Sequence, residues 1–152
     1  MASPAVLTVR PAQEEDRNHL MHLLHFETYV HRHLDWRQPV DWLGDEPYLV
    51  IESGGRILSA LACPPDPREV AWIRLFACSS RLAPSTAWEQ LWPAARDYLV
   101  AHQAEQAVVL PLHKWFKAVL ESHDFDHAHN VVVLDWVPDP SFKASDSAEI
   151  RR

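Results

Sequence analysis

Four groups of residues in this chain have the types and spacing to do chemistry. The first surrounds a loop: Val70-Ala71-Trp72-Ile73-Arg74-Leu75-Phe76-Ala77 is an apolar run of strand length, followed by the small, polar stretch Cys78 to Thr86 and then a helical pattern. A strand that feeds a loop at a helix N-terminus can hold a pyrophosphate on backbone amides, aided by the positive end of the helix dipole. The second is Arg74, set midway in that apolar run. Such an arginine is costly unless it pairs with a buried carboxylate or faces a pocket that takes an acidic ligand. The third is a set of ten histidines. His22 and His25 can share one helix face, and His127 and His129 one strand face beside Asp124 and Asp126, but neither pair is completed at a recognised metal-site spacing. They read as surface histidines, and no metal is expected. The fourth is Cys63 and Cys78, which as ends of consecutive antiparallel strands lie roughly 25 Å apart at about 3.3 Å per residue, too far to pair. Each reads as a packed, buried thiol.

The elements that position these groups follow from periodicity. Ala5 to Arg10 is a strand stopped by Pro11, and a helix is predicted from Glu14 to His31 with Leu20, Leu23, Leu24 and Val30 inward. Ser53-Gly54-Gly55 supplies the positive φ of a tight turn, so Tyr48–Glu52 and Arg56–Ala62 pair as a hairpin. The strand over 70–77 then presents Trp72, Arg74 and Phe76 to one face and Ile73 and Leu75 to the other. Thr86-x-x-Glu89 is a capping-box pattern that starts a helix near Ala87, carrying Leu91, Ala94, Ala95, Tyr98, Leu99 and His102 on one side. Pro93 either kinks this helix or restarts it. Gln106–Leu110 is a strand and His113–His123 a helix with Trp115 or Phe116, Val119 and Leu120 inward. Asn130–Val137 is the strand that closes the sheet, and Ser141–Arg152 a polar, disordered tail beyond Pro138 and Pro140.

Composition narrows the classes. The 152 residues, 47% hydrophobic, suffice for one domain with a core and are too few for two, so residues 1–137 form the domain and 138–152 the tail. A net charge of −7 without any basic run disfavours nucleic acid as a partner. The first residues carry no basic segment leading into an apolar core, and no stretch approaches bilayer length, so no membrane partner is expected and the location is expected to be cytoplasmic.

The order of elements resembles the GNAT family of N-acetyltransferases. The opening Leu7-Thr8-Val9-Arg10-Pro11-Ala12 with Glu14-Glu15-Asp16, the hairpin over 48–61, the strand-loop-helix over 70–102 and Val119-Leu120-Glu121-Ser122-His123-Asp124-Phe125 are similar to that family's elements in the same order. The resemblance implies an α/β (α+β) fold with a mixed, mostly antiparallel central sheet flanked by helices. It also implies acetyl-CoA or another acyl-CoA as cofactor, and a small-molecule or protein amine as acceptor; a homodimer is possible. In the family the strand at Gln106–Leu110 parts from the central one, and the wedge between them admits the pantetheine arm. The chain departs from the family pattern at the loop, where Leu82-Ala83-Pro84-Ser85-Thr86-Ala87 stands in place of glycines and Pro84 removes one amide.

Carried over residue by residue, the resemblance places Phe76, Ala77, Ser79, Arg81, Ala83, Ser85, Thr86 and Ala87 against the cofactor. Trp36, Trp42, Arg74 and His33 would wall the acceptor pocket; equally, both tryptophans anchor a long loop on the core. Leu120 stands where the family often has a tyrosine acid, leaving His123 as substitute, with Glu69 or His31 as the base. Two functions follow. One is transfer of an acyl group from acyl-CoA to a primary amine. The other, supported by the replaced glycines, Pro84 and the missing tyrosine, is a catalytically silent module that keeps the fold for ligand or protein binding.

Overall fold

A computed structural model describes residues 6–137. Five strands form one antiparallel sheet in the order β1 (Thr8–Pro11), β3 (Tyr48–Ser53), β4 (Arg56–Ala62), β6 (Leu75–Cys78) and β2 (Tyr29–Arg32). A second, two-stranded parallel sheet joins β5 (Val70–Trp72) to β7 (Gln106–Val108). Three helices flank the strands: α1 (Arg17–Phe26), α2 (Pro84–Ala101) and α3 (Lys114–Glu121).

Alternation along the strands builds two cores, one on each face of the larger sheet. Leu49, Ile51, Leu61, Phe76 and Cys78 point toward α2 and α3, where Trp88, Leu91, Phe116 and Leu120 meet them. Tyr48, Val50, Ala60, Ala62, Leu75 and Ala77 point the other way, onto Leu20, Leu23 and Leu24 of α1 and Val40 and Trp42 of a short 3-10 turn. The 48–53/56–62 hairpin forms as expected, with Gly54 at φ 57° and Gly55 at φ 75° in its turn. Across β4 and β6, Ser59 faces Cys78 and Ala62 faces Leu75, so Cys63 and Cys78 sit at opposite ends of the pair, both free.

Several expectations are corrected. The strand over 70–77 is two strands, because the backbone changes partners at Ile73 and Arg74: the Ile73 amide bonds the Val108 carbonyl at 2.9 Å, and the Arg74 amide bonds the Ala62 carbonyl at 2.8 Å. The break also shifts the side-chain phase, as a bulge does. Arg74 and Leu75 therefore share one face, and Phe76 joins Ile73 on the other. The helix predicted to reach His31 ends at Phe26, and the β-prone Tyr29-Val30 continues as a strand because the free edge of β6 satisfies its backbone. Helix α2 begins at Pro84 rather than Ala87, since proline's fixed φ suits a first helical position, and it runs through Pro93 without restarting. Its buried face is Leu91, Ala95 and Leu99 with Ala87 and Trp88, while Ala94 and His102 are exposed.

Asn130–Val137 does not close the sheet: these residues are in no strand and their side chains are exposed. The arrangement that pairs His127 and His129 on a strand face is thereby removed as well; His127 instead contacts Asn130. The expected tail over 141–152 lies outside the described residues.

Candidate functional site

The site is the place where two neighbouring strands part. β5 and β7 run parallel through Trp72 and Val108, and the last bond between the two paths is from the Ile73 amide to the Val108 carbonyl. Beyond that point β6 turns away from β7 and opens a wedge, with the loop 79–83 and the start of α2 at its far end. This is the cleft anticipated for an acyl-CoA.

The chain fills that cleft with its own residues. β2 lies antiparallel along the edge of β6 on the β7 side, with Tyr29 opposite Cys78, Val30 opposite Ala77, His31 opposite Phe76 and Arg32 opposite Leu75. The pairing continues as the His33 amide bonds the Arg74 carbonyl at 2.9 Å. Backbone groups of β6 that would face a bound ligand are therefore spent on β2. At the apex, the His31 imidazole is fully buried; its Nε2 lies 3.2 Å from the Ile73 carbonyl oxygen and its ring sits 4.6 Å from that of Phe116. Since a carbonyl only accepts, Nε2 carries the proton and the ring is a neutral donor. Burial pushes its pKa down to about 4, against the smaller upward pull of the Ile73 bond.

At the loop, a carboxylate takes the place an anion would take. Glu27 follows the last residue of α1 and accepts from the Ser79 hydroxyl at 3.0 Å and from the Ser80 amide at 2.9 Å. Other loop amides are also engaged: Ser79 with the Leu58 carbonyl, Arg81 with the Ser79 hydroxyl, Leu82 with the Ser79 carbonyl and Ala87 with the Ala83 carbonyl. Pro84 has none to give. Loss of the Glu27 contacts should cost about 1.5–3 kcal/mol, the usual worth of hydrogen bonds to a charged group. Chemical denaturation of Glu27→Ala, with Glu27→Gln as the milder variant, measures this.

An acyl-CoA entering this wedge would meet the chain's own residues at three points, while the Ser85 and Thr86 amides at the start of α2 make no backbone hydrogen bond among the described residues. The β6 edge, the apex at Ile73 and the Ser80 amide are each occupied, by β2, His31 and Glu27 respectively.

The remaining predicted residues divide between the two faces of the sheet and the surface. Phe76 and Ala77 are fully buried, Ser79 nearly so, and Arg81, Ala83 and Ser85 are exposed; Thr86 is half-buried and Ala87 buried. On the α1 face, Trp42 is buried with the Arg74 guanidinium 4.5 Å and the Arg37 guanidinium 3.8 Å from its ring centre. Arg74 also donates to the Asp35 carboxylate at 3.0 Å, both side chains being about one-tenth exposed or less. Burial pushes the Asp35 pKa up, but the Arg37 amide and the Arg74 charge outweigh it and hold the carboxyl below its ordinary value. The His33 ring lies 4.9 Å from that of Trp72, tilted by 36°, and its pKa is lowered first by burial and then by Arg74. Trp36 is 91% exposed and joins neither group.

His31 alone of the three acid–base candidates lies in the wedge. Glu69 is exposed at the opposite end of β5, where its carbonyl accepts from Glu105 and Gln106. His123 sits on another opening of about 610 Å³ beside Trp88, Trp92 and Phe125, with Nε2 3.3 Å from Glu89. The Cys63 and Cys78 thiols are each pushed up to about 12, by burial above all, so neither is a thiolate at neutral pH. Among the described residues, no group of three His, Cys, Asp or Glu side chains is placed to hold a metal.

Sequence reasoning missed Glu27 altogether, and it considered Asp35 for holding an acceptor amine but not as the buried partner of Arg74. For Glu27 the available signal was the β-prone Thr28-Tyr29-Val30 that ends α1; for Asp35 it was the need of Arg74 for a buried partner.

No protein-family model matches the chain, and no curated protein matches it by sequence. Solved structures do. The aminoglycoside N-acetyltransferase AAC(6')-Iy in complex with CoA superposes with a TM-score of 0.66 at 11% identity, over 90% of this chain and 98% of that one. Rv2747 from Mycobacterium tuberculosis, also solved with CoA, gives 0.63 at 17% identity over 84% and 76%. The aminoglycoside acetyltransferase meta-AAC0020 from an uncultured soil metagenomic sample gives 0.62 at 16% identity over 88% and 97%. The fold is that of the GNAT acetyltransferases, an antiparallel sheet flanked by helices. At these identities the likeness is one of fold. Among the described residues, no helix is long and apolar enough to cross a membrane.

Proposed function

We propose that this chain is a catalytically silent module that keeps the acetyltransferase fold for binding. One observation carries the reading. The continuous segment Glu27–His33 takes three of the positions a CoA would use, with a carboxylate on the loop amide, a strand on the β6 edge and an imidazole at the apex. Opening the cleft would strip β2 from a fully buried strand and unseat His31 from Phe116.

The second reading is acyl transfer from acyl-CoA to a primary amine on a small molecule or protein. Its support is the likeness to acetyltransferases solved with CoA, two of the neighbours being aminoglycoside enzymes. It requires Glu27–His33 to withdraw before any cofactor enters.

Calorimetric titration of the tagless protein with acetyl-CoA and, separately, with CoA distinguishes the two. The silent module gives no heat and no thermal shift at millimolar cofactor. A micromolar Kd would instead stabilise the protein by about 4 kcal/mol at a thousandfold excess over Kd. That shift, followed by release of free CoA with an amine, would replace the first reading by the second.

A further inference from the structure

The opening of about 610 Å³ between α2 and the turn that closes α3 takes no part in the wedge. Its apolar wall is made of three rings. Trp88 and Trp92 lie four residues apart on one face of α2, and their rings stack at 5.3 Å. Phe125, brought in by the turn, meets Trp92 at 5.1 Å and Trp88 at 5.7 Å. Glu89, Asp124 and Asp126 complete the lining with carboxylates. The Asp124 and Asp126 carboxylates have no ion-pair or hydrogen-bond partner among the described residues, and Glu89 faces only the His123 imidazole, at 3.3 Å. Arg96, at the same rim, is drawn to Asp97 at 3.3 Å.

The surroundings of Trp42 show what this wall lacks. There the chain supplies its own cations: Arg37 and Arg74 lie over the ring, and they pair with Asp45 and Asp35 respectively. Among the described residues, no Lys or Arg lies over Trp88, Trp92 or Phe125. Ring faces are the negative part of an aromatic quadrupole, so together with the carboxylates they give the opening a predominantly negative potential. Such a wall repels phosphate and attracts a cation. Trp88 is also fully buried with its Nε1 donor unpartnered, which leaves the wall one hydrogen bond to give to an oxygen.

We infer that this opening binds a small organic cation, an alkylated ammonium group that carries a hydroxyl or carbonyl oxygen a few bonds away. The rings favour a weakly hydrated cation whose methyl groups lie against them. A metal ion is a poorer match, since no three His, Cys, Asp or Glu side chains among the described residues are placed to hold one. A nucleotide would bring its phosphates against the carboxylates. The volume falls in the range of small-molecule sites, roughly 300–1,000 Å³, so it accommodates a whole ligand rather than an ammonium head alone. Neither Glu27–His33 nor the loop 79–83 lines the opening, so the inference stands whether or not the cleft takes CoA.

Isothermal titration of the full chain with choline tests it, against the uncharged isostere dimethylbutanol, in which a quaternary carbon replaces the nitrogen. Choline should bind with a Kd tighter than about 1 mM, and the isostere at least about tenfold more weakly, since it lacks the charge that the rings attract. Asp124→Asn/Asp126→Asn removes two exposed charges, and asparagine tolerates the left-handed backbone of Asp124 at φ 66°. This variant should bind choline about fivefold more weakly with an unchanged thermal midpoint. Trp92→Leu, which removes a ring and keeps an apolar side chain, should lose binding by a similar factor. No binding by about 10 mM choline, equal binding of the isostere, or binding unaltered in the double variant would each overturn the inference. So would binding that is lost instead on Asp45→Asn, in the opening beside Trp42.

Discussion

Replacing Asp35 with alanine should destabilise the protein by about 3–5 kcal/mol, because the change strands a charge inside. Arg74 donates to Asp35 at 3.0 Å and its side chain is only 11% exposed. Its Nε has no hydrogen-bond partner, and the Trp42 ring covers the guanidinium at 4.5 Å. Little water can therefore replace the lost carboxylate. Asp35→Ala/Arg74→Met removes both charges and keeps an unbranched side chain against Trp42. It should recover most of the loss, since buried pairs replaced by packed apolar groups are often close to neutral. Urea denaturation of the two single variants and the double variant measures the coupling. A loss in the double variant equal to the sum of the two single losses would show that the pair contributes nothing as a pair.

The second large effect is a loss of stability in acid that traces to His31. Its folded pKa is about 4 against an unfolded value of about 6.5, so between these values the unfolded chain binds more protons than the folded one. Stability is therefore fully present above about pH 6.5, falls by up to about 1.4 kcal/mol per pH unit below it, and levels off near pH 4 after a total loss of about 3 kcal/mol. His33 and Asp35, also held below their ordinary values, act in the same direction. His31→Phe keeps a ring against Phe116 and removes the proton, so its stability should vary less between pH 6.5 and pH 4 than that of the parent. An identical pH profile in the variant would assign the acid sensitivity elsewhere. The position matters for function because the same neutral, buried imidazole closes the apex of the cleft.

The closed cleft reverses the usual meaning of this strand-loop-helix. Backbone amides at a helix entrance attract anions whatever their source. In this chain the anion is a side chain of the chain itself, since Glu27 reaches the Ser80 amide. Strand addition treats a pantetheine arm and a peptide alike, because both satisfy the bare groups of an edge. β2 is the peptide that does so on β6. A short helix α1 makes this possible, for had it continued to His31 the edge of β6 would have stayed free.

Local pattern determined much of this protein. The hairpin over 48–62, the inward faces of α1 and α3, and the separation of Cys63 from Cys78 follow from period and turn chemistry alone. So does the requirement that Arg74 have a partner, since burial of an unpaired charge is costly wherever it occurs. Tertiary structure decided the rest. Whether Thr28-Tyr29-Val30 extends a helix or forms a strand depends on an edge contributed by residues 75–78, more than forty positions away. The break at Ile73 and Arg74 likewise arises because two different neighbours, Val108 and Ala62, claim adjacent amides. It moved Phe76 to the face opposite Arg74, which alternation within the run could not reveal. The occupant of the cleft was hidden for the same reason: Glu27 and His31 carry no motif, and they meet Ser80 and Ile73 only because the sheet brings distant segments side by side.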